Sequence, residues 1–191
     1  MLEDFNIAIF HKINDFVQLT FLNQGIIIFA KYLPYIFILS LIYLWFTKNN
    51  QIKKITLLAG YTAIVGILIN YSITVFYHHN RPFADHIGHV LIQHSADSSF
   101  PSDHTTFMLS LGFAFLYFTE TKKIGISLLV LGFLGGISRV YCGVHYPFDI
   151  IGSIIVSFIA SFAIFKFRSV FSKTNNRIIK LYTKTKSIIS T

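Results

Sequence analysis

The sequence predicts an all-α protein: a polytopic bundle of about five transmembrane helices, preceded by an N-terminal helix at the membrane interface. Of its 191 residues, 53% are hydrophobic and only 13% are charged, and the mean hydropathy is +0.61. A soluble domain has about 25% charged residues. Several apolar runs also approach the roughly 20 residues that a helix needs to cross the hydrocarbon of a bilayer. The chain is therefore too apolar for an ordinary soluble domain.

The N-terminal amphipathic segment covers residues 1–24. Between residues 5 and 20, apolar side chains recur at helical spacing. The polar residues that interrupt this pattern are His11, Lys12, Asn14 and Asp15. A helix of this kind is expected to lie along the membrane interface and not to cross the bilayer.

Five longer apolar runs predict the transmembrane helices. They cover residues 25–46, 55–77, 101–118, 124–141 and 147–167. No internal repeat and no linker rich in Pro, Gly or Ser divides the chain, so residues 1–191 are expected to form a single membrane domain. Residues 168–191 differ in composition and form a basic tail.

The distribution of charge predicts the orientation. Twelve of the sixteen Lys and Arg residues lie in three segments that five spans place on one side of the membrane. These segments are 47–54, 119–123 and the tail from Lys166. The positive-inside rule makes that side cytoplasmic, so residues 78–104 and 139–146 are expected to face outward. Because the cations flank spans, the net charge of +8 indicates membrane topology and contact with anionic lipids, and not nucleic acid binding.

Ionisable residues lie at the outer junction of the last two spans. Arg139 ends one span, His145 precedes the next, and Asp149 falls in its first turn, which Pro147 opens. The Asp149 carboxylate can reach back as in a capping box, fixing the His145 tautomer and stabilising imidazolium. His145 is then the predicted nucleophile. By itself, the pair fits a satisfied buried histidine and a helix-capping carboxylate equally well. Arg139 favours function, since ionisable residues here are costly.

A second segment, Pro101-Ser102-Asp103-His104, opens another predicted span. The unpaired N–H groups of a first helical turn attract phosphate, and Ser102 adds a hydroxyl donor. His104 is placed to protonate a departing oxygen and then to deprotonate water. Taken alone, the segment is more simply explained as a helix cap followed by an exposed histidine.

Two arginines supply permanent positive charge on the outer side. Arg81, which precedes Pro82, is a weak signal alone, because an arginine at a membrane end is common. Together with Arg139 it can neutralise the equatorial oxygens of a transferring phosphoryl group, which is the main electrostatic demand of this chemistry.

These segments resemble the type 2 phosphatidic acid phosphatase superfamily. Its signature combines a Lys and Arg-Pro segment, a Pro-Ser-Gly-His segment and a Ser-Arg-x5-His-x3-Asp segment, and residues 138–149 match the third in full. The resemblance implies that His145 forms a phosphohistidine, that Asp149 orients it, and that His104 is the acid/base. The residues implied to bind phosphate, with no metal or other cofactor, are Arg81, Ser102 and Arg139.

Two positions depart from the signature. Asp103 stands where the family usually has Gly, and Thr74 stands where a Lys is expected, seven residues before Arg81. A carboxylate beside phosphate is unfavourable unless it points away, so Asp103 is expected to contact a substrate hydroxyl, His104 or a basic neighbour. Thr74 can donate a hydrogen bond but carries no charge. Both remain candidate substrate-binding residues, together with Pro101.

The run from Gln93 to Thr106 is similar to the bacitracin-resistance type of undecaprenyl-diphosphatase within that superfamily. This resemblance implies hydrolysis of undecaprenyl diphosphate in the outer leaflet of the bacterial plasma membrane, which recycles the lipid carrier for cell-wall building blocks and confers bacitracin resistance. A broader lipid phosphatase acting on phosphatidylglycerophosphate or phosphatidic acid is the alternative within the enzyme class.

Two alternatives come from other classes. The first outer loop contains five histidines, which suggest a metal-binding or transport protein. They are His78, His79, His86, His89 and His94. Their spacing is irregular and no cysteine accompanies them, which favours ordinary loop histidines. A non-catalytic membrane interaction protein is supported only by the many aromatic residues, and these are typical of lipid-facing surfaces.

Overall fold

The computed structural model describes residues 1–18 and 20–189 and contains seven α-helices within them. They are α1 (Leu2–Asn14), α2 (Asn23–Thr47), α3 (Asn50–Phe76), α4 (Asp103–Leu116), α5 (Lys122–Tyr141), α6 (Pro147–Lys166) and α7 (Arg168–Ile189). No described residue lies in a β-strand, and the all-α prediction is confirmed. Residue 19 of the predicted amphipathic segment and residues 190–191 of the predicted tail lie outside the described residues.

Within the described residues, four helices, α2, α3, α5 and α6, are long and apolar enough to cross a membrane, and the chain is a multi-pass membrane protein. The span predicted at 101–118 corresponds to α4, which has only 14 residues. Helix α4 packs against α3, α5 and α6. A helix enclosed by others can satisfy its terminal backbone groups within the protein, so it does not need the full length of a lipid-exposed span.

Small residues allow the helices around α4 to approach closely. A Cβ atom added to Gly125 of α5 would lie 2.9 Å from the backbone nitrogen of Leu116, so this crossing requires a glycine. On another side, the Ser157 hydroxyl of α6 donates to the Thr106 carbonyl of α4 at 3.0 Å. Such small-residue and interhelical hydrogen-bond contacts are typical of helix packing in membranes.

Helix α1 packs across the ends of α5 and α6. Phe10 is fully buried and its ring contacts Tyr146 edge to face, with ring centroids 5.4 Å apart. The Asn6 side-chain oxygen accepts from the Phe148 N–H at 3.0 Å. Asn14 donates to the Tyr141 carbonyl at 2.8 Å. Two of the polar residues in the N-terminal segment therefore join α1 to the bundle.

Residues 77–102 connect α3 to α4 without a helix or strand. Backbone hydrogen bonds hold this segment against the same end of the bundle: the Ser99 N–H donates to His79 O at 2.7 Å, and the Leu91 N–H donates to Cys142 O at 3.1 Å. The connection between α5 and α6 lies at this end as well. The three predicted motifs are thereby brought to one end of the bundle.

The basic tail forms α7 at the opposite end. Its Asn175 is buried and accepts a hydrogen bond from the Tyr61 hydroxyl of α3 at 2.9 Å. The Lys53 ammonium lies 4.7 Å from the centroid of the Tyr182 ring. The tail is therefore a helix packed on the bundle.

Candidate active site

Asp149 and His145 form a buried pair at the start of α6. Pro147 opens the helix, and the Asp149 carboxylate accepts the Tyr146 N–H at 2.7 Å. The same oxygen, Oδ2, lies 3.2 Å from His145 Nδ1. The Ser99 hydroxyl also donates to Oδ2. The capping position thus fixes the carboxylate next to the imidazole, as the residue spacing predicts.

The other nitrogen of His145 faces a donor. Arg81 NH1 lies 3.1 Å from His145 Nε2, and a guanidinium can only donate. Nε2 is therefore the unprotonated nitrogen, and Nδ1 carries the proton between Asp149 and the Ser99 carbonyl, 3.0 Å away. Burial lowers the pKa of His145 to about 4, although Asp149 opposes this change. The ring is neutral at pH 7, with its Nε2 lone pair in the site.

Arg81 is buried and held by acceptors on several sides. Its Nε and NH2 donate to the same oxygen of Asp97, at 2.9 and 2.7 Å. NH1 donates to the Val144 carbonyl at 2.8 Å, and NH2 donates to the Ser98 carbonyl at 3.3 Å. These contacts fix the guanidinium plane so that NH1 faces His145.

Arg139 is 3% exposed, yet its Nε and NH2 atoms have no hydrogen-bond partner among the described residues. Leaving charged donors unpaired in a protein interior is unfavourable, so such a group requires an explanation. An anionic ligand at this position would accept from both nitrogens, as the bidentate geometry of a guanidinium favours.

His104 lies in the first turn of α4 and is half-buried. The ring of His94 stands between the two predicted catalytic histidines: its centroid lies 6.2 Å from that of His104 and 6.2 Å from that of His145. Burial is the main cause that lowers the pKa of His94. A neutral imidazole therefore lines the site between the predicted nucleophile and the predicted acid/base.

Ser102 caps α4 and is fully buried. Its hydroxyl oxygen accepts from the Thr105 hydroxyl at 3.1 Å. Pro101 is also buried and precedes this cap. The start of α4 lies beside the start of α6, since the Ser102 N–H donates to the Asp149 carbonyl at 3.5 Å.

The two positions that depart from the family signature have other partners. The Asp103 carboxylate accepts from the Asn70 amide of α3 at 2.8 Å. Among the described residues, the hydrogen-bond partner of Asp103 is thus an amide on the neighbouring helix and not His104 or a basic residue. The expected contact with a substrate hydroxyl stays a prediction. The Thr74 hydroxyl donates to the Tyr71 carbonyl in its own helix at 2.9 Å, and no described hydrogen bond joins it to the arginines.

A cavity of about 360 Å³ opens beside His104. Asp103 and His104 lie at one end, and the remaining lining comes from α2, α3 and α4. These remaining residues are Lys31, Pro34, Tyr35, Ile38, Ile67 and Phe107. The cavity is mainly apolar away from the site and can accommodate hydrocarbon next to the ionisable groups.

Four loop residues contact the site although the sequence predicts no role for them there. They are His79, His94, Asp97 and Ser99. His94, Asp97 and Ser99 belong to the run from Gln93 to Thr106, which resembles the family, but no role follows from that resemblance. His79 was expected to be an ordinary loop histidine. Within the described part of the chain, no group of three or more His, Cys, Asp or Glu side chains could hold a metal ion.

A family model described as the PAP2 superfamily matches residues 54–173, which include every motif of the site. The chain belongs to the PAP2 superfamily. It is 38% identical over 178 residues to undecaprenyl-diphosphatase BcrC of Bacillus subtilis (strain 168), covering 93% of this chain and 91% of the relative. It is 33% identical to the bacitracin transport permease protein BcrC of Bacillus licheniformis, covering 85% and 80% of the two chains.

The fold agrees with that membership. The crystal structure of Aquifex aeolicus LpxE superposes with a TM-score of 0.70 at 25% identity, covering 85% of this chain and 95% of that one. The predicted resemblance to the PAP2 superfamily, and within it to the bacitracin-resistance type, is confirmed.

Proposed function

We propose that this PAP2 protein is an undecaprenyl-diphosphate phosphatase, which releases the terminal phosphate of the lipid diphosphate through a phosphohistidine. The observation that carries the reaction is the contact between Arg81 NH1 and His145 Nε2, which presents a nitrogen lone pair next to a phosphate-binding cation. The relative from Bacillus subtilis, which is 38% identical, supports the choice of lipid.

In the first step, His145 Nε2 attacks the terminal phosphorus. A P–N bond forms, the bond from phosphorus to the bridging oxygen breaks, and the lipid monophosphate leaves. Burial lowers the pKa of His104 to about 3, so the ring gains a proton only when the negatively charged diphosphate binds beside it. It then donates that proton to the departing oxygen. Asp149 accepts from Nδ1–H and stabilises the positive charge that develops on the imidazole, which is the role of a carboxylate beside a nucleophilic histidine.

In the second step, water attacks the phosphohistidine. His104, deprotonated by the first step, accepts a proton from that water, the P–N bond breaks, and inorganic phosphate leaves with His145 restored. Arg81 and Arg139 stabilise the equatorial oxygens in both steps. Two nitrogens of Arg139, which have no partner among the residues that the structure describes, are donors available for this purpose.

A lipid substrate fits the position of the site. The cavity beside His104 has an apolar lining from α2 and α4, including Pro34, Ile38 and Phe107. We infer that the isoprene units next to the diphosphate occupy this cavity and that the rest of the chain stays in the bilayer. A small bundle can then act on a long isoprenoid without enclosing it.

The charge distribution supports an extracytoplasmic site in the bacterial plasma membrane. The ends of the helices opposite His145 carry the basic segments, including Lys122 and Lys123 at the start of α5 and the cations of α7. Positive segments remain cytoplasmic, so the site faces the outer leaflet, where it meets the lipid diphosphate.

A comparison of lipid substrates tests this function. Purified protein should release one phosphate from undecaprenyl diphosphate and leave the lipid monophosphate, with kcat/KM at least about tenfold above that for phosphatidylglycerophosphate or phosphatidic acid. A tenfold preference for either glycerophospholipid would reject the carrier-recycling function and favour the broader lipid phosphatase, even if the catalytic residues act as described.

A further inference from the structure

The buried Asp149 carboxylate lies between two histidines. Its Oδ2 atom faces His145, as described above, while Oδ1 lies 3.7 Å from Nδ1 of His79. Both Oδ1 and that nitrogen are buried, and neither has a hydrogen-bond partner among the described residues. One can donate when protonated and the other can accept, so a small side-chain movement would satisfy both.

The second nitrogen of His79 faces another carboxylate. Nε2 lies 3.5 Å from Oε1 of Glu3, in the first turn of α1. A neutral imidazole has one N–H, whereas the imidazolium has two. Only the protonated ring can donate to Asp149 and Glu3 together. The pKa of His79 is correspondingly raised, chiefly by Asp149, with burial acting in the opposite direction.

The position of His79 is fixed by its neighbours. The backbone N–H of His79 donates to the Ser98 hydroxyl at 3.3 Å. The imidazole ring stacks on Tyr77 with 6.2 Å between centroids. The Tyr146 ring packs on its other side at 5.2 Å. His79 is therefore held beside Asp149 Oδ1, whereas His145 lies beside Oδ2 of the same carboxylate.

Other titratable groups surround the exposed edge of His79. A cavity of about 490 Å³ is lined by residues of α1, the loop after α3 and the start of α6. Its titratable members besides His79 are Glu3, His78, Asp85 and Tyr146. The Tyr146 hydroxyl donates to Asp85 at 3.2 Å. Among the described residues, the carboxylates within 4 Å of the His79 ring nitrogens are those of Glu3 and Asp149.

We propose that His79 is a positioning residue, which as imidazolium binds Asp149 Oδ1, holds Oδ2 against His145 Nδ1, and is itself held by Glu3 of α1. The proposal deepens the function above and rests on the nucleophilic role of His145. The N-terminal helix then contributes to the active site through Glu3, although it does not touch the substrate. In metal–histidine–carboxylate sites, mutation of a residue that hydrogen-bonds to a catalytic group without touching the substrate typically changes activity by about 10- to 100-fold.

The proposal has a definite pH dependence. Because the folded-state pKa of His79 is raised, its contribution is present at low pH and is lost as the pH rises through that pKa. Turnover should therefore fall at alkaline pH through deprotonation of His79 as well as of His104, the proposed acid, and only the part due to His79 should respond to Glu3. Removal of Glu3 should move this part to lower pH, because one of the two carboxylates that favour the protonated ring is lost.

The test compares His79→Phe, His79→Gln and Glu3→Gln with His78→Gln, the adjacent exposed histidine, as the matched control. The substrate is whichever of undecaprenyl diphosphate, phosphatidylglycerophosphate and phosphatidic acid the wild-type protein hydrolyses fastest. The expected result for His79→Phe is a loss of kcat of about 10-fold or more with little change in KM. His79→Gln should retain more activity, since its amide can still donate to Asp149.

Thermal unfolding in detergent shows whether each variant is folded. If the His79 variants do not fold, the pH profile of Glu3→Gln still tests the proposal, because Glu3 is a surface side chain. Equal kcat values and pH profiles for the His79, Glu3 and His78 variants would overturn the positioning role. Fastest hydrolysis of a glycerophospholipid would reject the proposed substrate while leaving the His79 comparison valid. A wild-type protein inactive on all three lipids would reject both proposals.

Discussion

The Nε2 atom of His145 accepts a hydrogen bond from Arg81 NH1 at 3.1 Å, while its Nδ1 lies 3.2 Å from Asp149 Oδ2. A permanent donor on one side and a carboxylate on the other select a single neutral tautomer. The lone pair is thereby held where a phosphate would meet Arg81. The contact joins Arg81, in the loop after α3, to His145, which precedes α6.

Arg139 provides a test that separates stability from activity. Arg139→Leu removes a buried cation with two nitrogens that have no hydrogen-bond partner in the described part of the chain. The free energy of unfolding should therefore stay equal or rise, by up to about 4 kcal/mol. Activity should fall by about 100-fold or more, since a main donor to the phosphoryl oxygens is lost. Arg168→Leu, at the opposite end of the bundle, is the matched control for activity. A destabilised Arg139→Leu protein with normal turnover would show that Arg139 is structural.

The acidic limb of the pH profile should report His145. Burial lowers its pKa to about 4, so the nucleophile stays neutral well below the ordinary histidine value of about 6.5. We expect kcat/KM to persist at pH 5.5 and to fall as the pH approaches 4. Because the folded-state pKa is lowered, this histidine also reduces stability as the pH falls from 6.5 toward 4. A limb centred near 6.5 in kcat/KM would contradict a buried neutral nucleophile.

Much of the site follows from local sequence spacing. Pro147 and Asp149 occupy fixed positions in the first turn of α6, and His145 lies one turn before Asp149, so their contact depends on few residues. The apolar runs likewise predict the long helices. The shortness of α4 is not visible in its composition, because enclosure by α3, α5 and α6, which permits a shorter helix, is a tertiary feature.

The remaining contacts depend on how the loop after α3 folds. His79, His94 and Asp97 lie in a segment without regular structure, so no periodicity predicts which of its side chains turn inward. His78 and His79 are adjacent and identical in chemistry, yet His78 is exposed and His79 lies beside Asp149. The hydrogen-bond partner of Asp103 could not be predicted from its neighbours in the sequence, because that partner, Asn70, lies on another helix.

Activity should persist in excess chelator. In the proposed mechanism, Arg81, Arg139 and the first-turn N–H groups of α4 would supply the charge stabilisation that a metal ion supplies in other phosphatases. Initial rates with and without chelator are the measurement, and a metal-dependent phosphatase serves as the positive control. Loss of activity that one divalent ion restores would instead favour the metal-binding alternative based on the loop histidines.

The orientation can be tested by cysteine labelling in intact cells. Cys142 is fully buried and burial raises the pKa of its thiol to about 11, so it should remain unreactive in place. Ala84→Cys in the loop after α3 should react with an impermeant thiol reagent in intact cells. Asn176→Cys, exposed on α7, should react only in opened cells. The reverse pattern would overturn an extracytoplasmic site.

The most direct measurement is capture of the phosphorylated enzyme. In His104→Asn, departure of the lipid monophosphate needs little help, whereas attack by water needs a base, so the covalent intermediate should accumulate. Undecaprenyl diphosphate labelled at its terminal phosphate, followed by rapid quenching and peptide mass spectrometry, should place an acid-labile phosphate on His145. The label should be absent from His145→Ala. A phosphate on another residue, or a His145→Ala protein that folds and turns over normally, would contradict the mechanism.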